Sequence, residues 1–421
     1  MLKTFLTFVK KNSINFALLN GYKDIDFYHT YSSDIDIILK KTDFQKIEGI
    51  LTKFCGSKSF RIVQIFHHEV WAKNIFLYNP IEQHFLNLDL YGELSRKNVL
   101  FFKEKDTFNS LSLYKDIPIL SPEKEFIHYL VKKFDKNDFT QVNFDHLREL
   151  YFKSEKGCRN GLVKFFPSWY EIINKAFLNN DYDLLTQNHK KKFLTNFYRM
   201  SSVGLKQRGL NTLRIIKRII NPTGLTVSFL GPDGSGKSTI INMLLDDQLP
   251  FRRKDYFHLK PIQKKIGEVN EATVIDPHKY AAYSKLKSYI KLFYFLWQYN
   301  FGWLKNVIPL KIRSSLVVFD RYFDDLLVDH KRYRYGGNKT IVRLVRKFIP
   351  RPDLYFILVA DAKVISKRKQ EVPYKELERQ VESYKLLVDG KRYFEIDVDR
   401  RPEEICREIT EIMMRKMNER Y

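Results

Sequence analysis

Residues Gly231–Thr239 read G-P-D-G-S-G-K-S-T: a glycine, four residues, then glycine, lysine and serine. Each type suits a task in holding a chain of phosphates. Gly231, Gly234 and Gly236 allow tight turns and close approach of the backbone to an anion. The amide N–H groups of the loop, Pro232 excepted, can then line a concave anion site. Lys237 would set its charge on the outer phosphates, and the Ser238 hydroxyl would ligate Mg²⁺. The candidate ATP site is therefore Gly231, Pro232, Asp233, Gly234, Ser235, Gly236, Lys237, Ser238 and Thr239.

Such a loop works only between two elements. Leu225–Leu230 (L-T-V-S-F-L) is a short apolar run that predicts a buried strand, and Thr239–Leu245 (T-I-I-N-M-L-L) predicts the start of a helix. The dipole at that helix N-terminus favours anions. A plain glycine turn would require neither the lysine nor both elements in register.

A second constellation lies near the N-terminus. Ser32–Leu39 reads S-S-D-I-D-I-I-L, and Phe85–Tyr91 reads F-L-N-L-D-L-Y. Strand periodicity puts Asp34 and Asp36 on one face. Asp89 from a neighbouring strand would add the third carboxylate of a metal site suited to phosphoryl displacement. The alternative is a surface strand that merely ends in D-I-D.

Further chemistry follows the phosphate loop. Ser315–Phe319 predicts a strand ending in Asp320-Arg321-Tyr322, and open α/β sheets place ligands at strand carboxyl ends. Asp320 could hold the Mg²⁺ water shell or polarise an acceptor. Arg321 could bind an acceptor phosphate bidentately. Then come Arg351-Pro352-Asp353, a strand at Leu354–Val359, a helical segment from Ala362, and a charged segment, Glu371–Arg379, able to close as a lid. Arg368 and Arg379 are candidates to neutralise a transferring phosphoryl group. A strand at Tyr393–Val398 and a helix at Pro402–Met417 complete the pattern.

In this order the pieces at residues 225–420 resemble the thymidylate kinase family, with G-x-D-G-x-G-K-S-T, a D-R-Y strand end, P-D-L before a strand, an arginine lid and a final I-D strand with helix. The resemblance implies a P-loop kinase using ATP and Mg²⁺, with Asp233 at the acceptor's sugar hydroxyl and Arg321 at its phosphate. The acceptor side departs from the family. Phe323-Asp324-Asp325-Leu326 follows D-R-Y, and His330–Pro352 holds eight lysines and arginines and no acid. Arg332 and Arg334, interleaved with tyrosines, are the candidate contacts for a differently charged acceptor, such as a sugar phosphate. Residues 1–110 resemble the minimal nucleotidyltransferase fold in their D-h-D strand (h is hydrophobic) and later aspartate. Gly21-Tyr22 stands where that family has Gly-Ser or Gly-Gly.

The elements between are expected to be helical. Lys3–Leu19, Ser121–Lys133, Phe139–Phe152, Gly161–Leu178 and Asp183–Met200 predict helices. His128, His146 and His189 share no ligand spacing. Ser201–Ile220 carries five basic residues, no acid and a stripe of leucine and isoleucine. It reads as a linker helix docked on the following domain, or as a peripheral membrane contact. Leu292–Leu304 reads as a core helix of the kinase-like domain, the alternative being interfacial contact with a membrane. The expected organisation is a nucleotidyltransferase-like domain (1–110), a helical appendage (111–200), a basic linker helix (201–224) and a P-loop α/β domain with a parallel sheet (225–421).

Composition bounds the function. The 421 residues exceed one ordinary domain, and the formal charge of +24 suits acidic partners. The three cysteines, Cys55, Cys158 and Cys406, fit no metal spacing and suit a reducing cytosol. Met1–Val9 lacks a cleavage site, and no apolar run reaches a membrane span. A GTP-dependent switch would need an aspartate that Asn338-Lys339-Thr340-Ile341 lacks. The expectation is a cytoplasmic phosphotransferase acting on a small phosphate acceptor, with no specific nucleic acid. The alternative is a nucleic-acid-binding or membrane-peripheral P-loop ATPase.

Overall fold

The computed structural model describes residues 2–22, 34–96, 99–186, 205–262, 280–369 and 372–421. They form two compact units, residues 1–217 with Tyr421 and residues 218–420.

The first unit is built on a seven-stranded mixed sheet. Its strands are β1 (Phe16–Leu18), β2 (Ile35–Leu39), β3 (Arg61–Glu69), β4 (Ala72–Asn79), β5 (His84–Tyr91), β8 (Ser112–Tyr114) and β9 (Ile117–Ile119), in the order β3-β4-β5-β2-β1-β9-β8. A separate pair, β6 (Leu94–Arg96) and β7 (Val99–Phe102), precedes the last two. Side chains alternate across each strand, and the two faces feed two cores. Phe16, Leu18, Ile35, Ile37, Leu88 and Leu90 join the helices Leu2–Lys11 and Lys41–Lys58. Ala17, Leu19, Ile38 and Tyr91 join the helices Pro122–Asp135, Gln141–Lys153, Glu155–Phe165 and Tyr170–Asn179.

Three expectations are corrected here. The segment Lys3–Leu19 is a helix only to Lys11, after which Phe16–Leu18 is a strand paired with β2. Gly161–Leu178 is two helices, divided before Pro167, whose ring removes a backbone donor. The described part of residues 111–200, up to Thr186, is not an appendage: β8 and β9 belong to the main sheet, and the following helices cover its second face. The part of the Asp183–Met200 expectation beyond Thr186, and Ser201–Gly204, lie outside the described residues.

The second unit is an α/β domain with a five-stranded, all-parallel sheet. It consists of β10 (Leu225–Leu230), β11 (Arg253–His258), β12 (Ser315–Asp320), β13 (Leu354–Val359) and β14 (Tyr393–Asp397), in the order β11-β12-β10-β13-β14. Every residue of β10, β12 and β13 is buried, as their unbroken apolar runs require of strands covered on both faces. β10 is central, so its carboxyl end lies between those of β12 and β13. There the order reverses and a ligand crevice forms. No helix among the described residues is long and apolar enough to cross a membrane.

Candidate functional site

The phosphate loop leaves the carboxyl end of β10 and enters the helix Lys237–Asp246. The glycines are required by conformation. Gly231 has φ +144°, and a Cβ there would sit 2.3 Å from the Leu358 carbonyl oxygen. Gly234 and Gly236 have φ of +84° and +80°. Lys237 is buried, and its ammonium donates to the Gly231 and Pro232 carbonyls at 2.9 and 2.8 Å. Burial, with Arg321 nearby, lowers its pKa from 10.5 to about 8. Ser238 and Thr239 are exposed at the helix start, open to a ligand.

β12 delivers Asp320 and Arg321 beside this loop. The Asp320 Oδ2 accepts from the Tyr256 hydroxyl at 3.2 Å, while Oδ1 is buried with no partner among the described residues. Such an orphaned carboxylate oxygen fits a hydrated cation. Together with the left-handed glycines and the exposed Ser238, it makes the residues present a fit for a Mg²⁺-nucleotide. Arg321 adopts φ +67°, a conformation that costs energy in a non-glycine residue and concentrates at functional sites. Its guanidinium is shared between Asp233 of the phosphate loop and Asp325, the latter at 3.0 and 3.1 Å. Arg332 reaches the other Asp233 oxygen. Two guanidiniums thus converge on one loop carboxylate (the third corner being Asp325).

Asp325 was not singled out in the sequence, yet it anchors this cluster. It is fully buried and accepts from Tyr333 at 2.7 Å and from Tyr384. Burial opposes its ionisation, but Arg321 and the two hydroxyls outweigh that and hold it below the usual carboxylate range. Beside it, Asp324 accepts from Arg346 at 2.7 Å and from Tyr393 at 2.9 Å. The signal was present as two adjacent carboxylates inside an apolar stretch, F-D-D-L-L, where only paired charges are stable.

The other predicted residues do not converge on the loop. Arg334 donates to the Ala281 carbonyl at 3.0 Å and lies over the rings of Tyr280 and Tyr283. Arg368 donates to the Val398 carbonyl at 3.0 Å. Arg379 pairs with Glu376 at 2.7 Å and reaches the Val328 carbonyl. The expected lid, Glu371–Arg379, is largely the first part of a packed helix, Tyr374–Lys385, with Leu377, Gln380, Val381 and Tyr384 buried. Its spacing is amphipathic, which explains the packing. Glu371 itself lies outside the described residues.

In the first unit, β2 and β5 are parallel neighbours, and Asp36 is the register partner of Asp89. The Tyr91 hydroxyl donates to Asp36 at 3.2 Å and to Asp89 at 2.9 Å. The helix Pro122–Asp135 covers this face and sets the Lys132 ammonium 2.6 Å from Asp36. Burial opposes ionisation of Asp36, but Lys132 holds it below its usual range. Burial and the Asp36 charge push Asp89 up to about 7. Asp34 precedes the strand, is exposed and accepts from Asn87. Of the expected metal group Asp34, Asp36 and Asp89, the strands bring Asp36 and Asp89 together, Lys132 pairs with Asp36, and no group of three or more metal-ligating side chains is gathered among the described residues. Sequence spacing showed the shared strand face but not the helix that would cover it. Tyr22, at the departure from Gly-Ser, donates to the buried Glu125 at 3.0 Å.

The geometry of the second unit defines a class, an α/β fold whose all-parallel five-stranded sheet carries a phosphate-loop motif at the carboxyl end of its central strand. No family model matches the chain. Among solved structures, thymidylate kinase from Ehrlichia chaffeensis is similar at 17% identity and TM-score 0.34, covering 45% of this chain and 99% of that one. Thymidylate kinase from Candida albicans is similar at 16% identity and TM-score 0.34, covering 46% and 93% respectively.

Proposed function

We propose that the second unit is an ATP- and Mg²⁺-dependent kinase. It transfers the γ-phosphoryl group to a small anionic acceptor, a nucleoside monophosphate or a sugar phosphate. The observation that carries this reading is the convergence of Arg321 and Arg332 on Asp233, beside the buried Lys237. Bound ATP·Mg²⁺ supplies an activated phosphoryl group and the cation that neutralises its charge. The chain's own residues do the rest by positioning and electrostatics. The amides of Gly234–Thr239 and Lys237 hold the phosphates. Ser238 and the unpartnered Oδ1 of Asp320 would hold the cation. An anionic acceptor competes with Asp233 for two guanidiniums, and Asp325, itself held by Tyr333 and Tyr384, keeps the direction of Arg321 fixed. A terminal P–O bond breaks, a bond to the acceptor oxygen forms, and ADP departs. Arg368 and Arg379 are assigned no catalytic contact.

The test is an acceptor screen with γ-labelled ATP and Mg²⁺ against nucleoside monophosphates, sugars and sugar phosphates, with Lys237→Ala as the blank. Label on thymidine monophosphate makes the protein a nucleotide kinase with an altered acceptor loop. Label on a sugar phosphate alone assigns the specificity to Arg332. No Lys237-dependent label on any acceptor overturns the reading. Arg332→Ala is expected to raise the acceptor KM more than tenfold, about 1.4 kcal/mol or more, with the KM for ATP little changed. In the same reading the first unit is a nucleotidyltransferase-like domain in which Asp36 is paired with an internal lysine, and it contributes no step to this reaction.

A further inference from the structure

The segment Leu292–Leu304, expected as a core helix or an interfacial membrane contact, belongs mostly to the helix Lys285–Gly302 of the second unit, and one face of that helix is in the core: Ser288, Leu292, Phe295, Gln298 and Tyr299 are buried. The opposite face is apolar too, and it is exposed. Leu286, Ile290, Phe293, Trp297, Phe301 and Leu304 recur at helical spacing, and Phe293, Trp297 and Leu304 are 59%, 58% and 66% exposed. Tyr294 stacks on Trp297, and Trp297 stacks on Phe301 with centroids 5.3 Å apart. Asn300 donates to the Phe348 carbonyl, bringing the equally exposed Phe348 to the end of the stripe. A contiguous aromatic surface of this kind marks an interaction site.

Charge selects the occupant. Between Asp276 and Asp320 the sequence holds no acid, and Lys285, Lys287 and Lys305 flank the stripe. Arg343 and Lys347 are exposed beside Phe348 in a second stretch without acids. A second copy of this face would oppose lysine to lysine with no carboxylate to neutralise either. Aliphatic and aromatic side chains at the centre, with lysines whose stems reach past them, are the composition of a helix lying in the headgroup region of an anionic bilayer. We propose that this face docks the protein on anionic membrane surfaces, with Trp297 and Phe301 inserted and the lysines on lipid phosphates. The docking surface is independent of the kinase reading.

The full-length protein would be floated with phosphatidylcholine vesicles and with vesicles containing about one third phosphatidylglycerol, near the surface charge at which each basic residue adds about 1 kcal/mol. Expected are flotation with the anionic vesicles only, loss of it at high salt, and at least a tenfold drop for Trp297→Glu/Phe301→Glu. A thermal melt of that variant checks that it remains folded, because both side chains are exposed. A second pair, Leu213→Glu/Ile216→Glu, probes the basic helix Leu205–Ile220, where these side chains are also exposed. The proposal is overturned if the protein floats with neither vesicle. It is also overturned if Trp297→Glu/Phe301→Glu floats as the parent does, with or without loss in the second pair. A dimer in sedimentation that Trp297→Glu dissociates, without flotation, gives the face to a second copy and overturns it too.

Discussion

At the residue scale the two sites differ in what answers a buried charge. Burial and the neighbouring Arg321 outweigh the nearby carboxylates at Lys237, so its pKa falls to about 8. Between that value and its ordinary 10.5 the unfolded chain binds the extra proton, so this group favours folding more as pH rises. For anion binding the sign is opposite. As pH rises through 8 the ammonium is lost, ATP affinity falls, and binding draws a proton in. Calorimetry at pH 8.5 in buffers of different ionisation enthalpy should show proton uptake, absent in Lys237→Ala; equal enthalpies in all buffers would refute it. Asp36 instead has Lys132. Removing the ammonium leaves a buried charge unpaired, so Lys132→Ala should cost about 3–5 kcal/mol in denaturant unfolding. It should also let Mn²⁺ raise the melting temperature of the variant, where the parent shows no such rise. A rise of the same size in the parent would mean that Lys132 does not block the carboxylates.

At the element scale the strands around the phosphate loop were legible because burial on both faces writes an unbroken apolar run, as in Leu225–Leu230 and Leu354–Val359. The loop was legible because its glycines serve backbone geometry. What failed did so for physical reasons. Phe16–Leu18 continues an apolar periodicity begun by a helix, and only pairing with β2 and β9 makes it a strand. Lys132 reaches Asp36 across 96 residues, a contact no local pattern encodes. The glycines give a test at this scale. Gly231→Ala meets the Leu358 carbonyl, whereas a Cβ on Gly236 meets nothing within 4 Å. Gly236→Ala should therefore cost only its left-handed strain, about 1–2 kcal/mol. Gly231→Ala should cost clearly more, because β10 and β13 must part. Urea unfolding of the two variants compares them, and equal midpoints would mean that the close approach of β10 and β13 carries no energy.

At the scale of the whole molecule the described residues form two units, each with its own sheet and cores. Each is near the size of an ordinary domain and buries enough apolar surface to melt by itself. The division between the units falls within the basic helix, between Lys217 and Arg218, whereas the sequence pattern sets it at Asn221-Pro222. A ligand stabilises only the unit that binds it, by about 2.7 kcal/mol at a hundredfold excess over Kd. For a unit of this size that is a rise of about 5–10 °C. Scanning calorimetry with Mg²⁺ and a non-hydrolysable ATP analogue should therefore resolve two transitions and raise one. Lys237→Ala should remove the rise, and Asp34→Ala/Asp36→Ala should keep it while lowering the other transition, since that change strands Lys132. A rise in both transitions, or one lost equally in both variants, would place the nucleotide elsewhere than on the phosphate loop of the second unit.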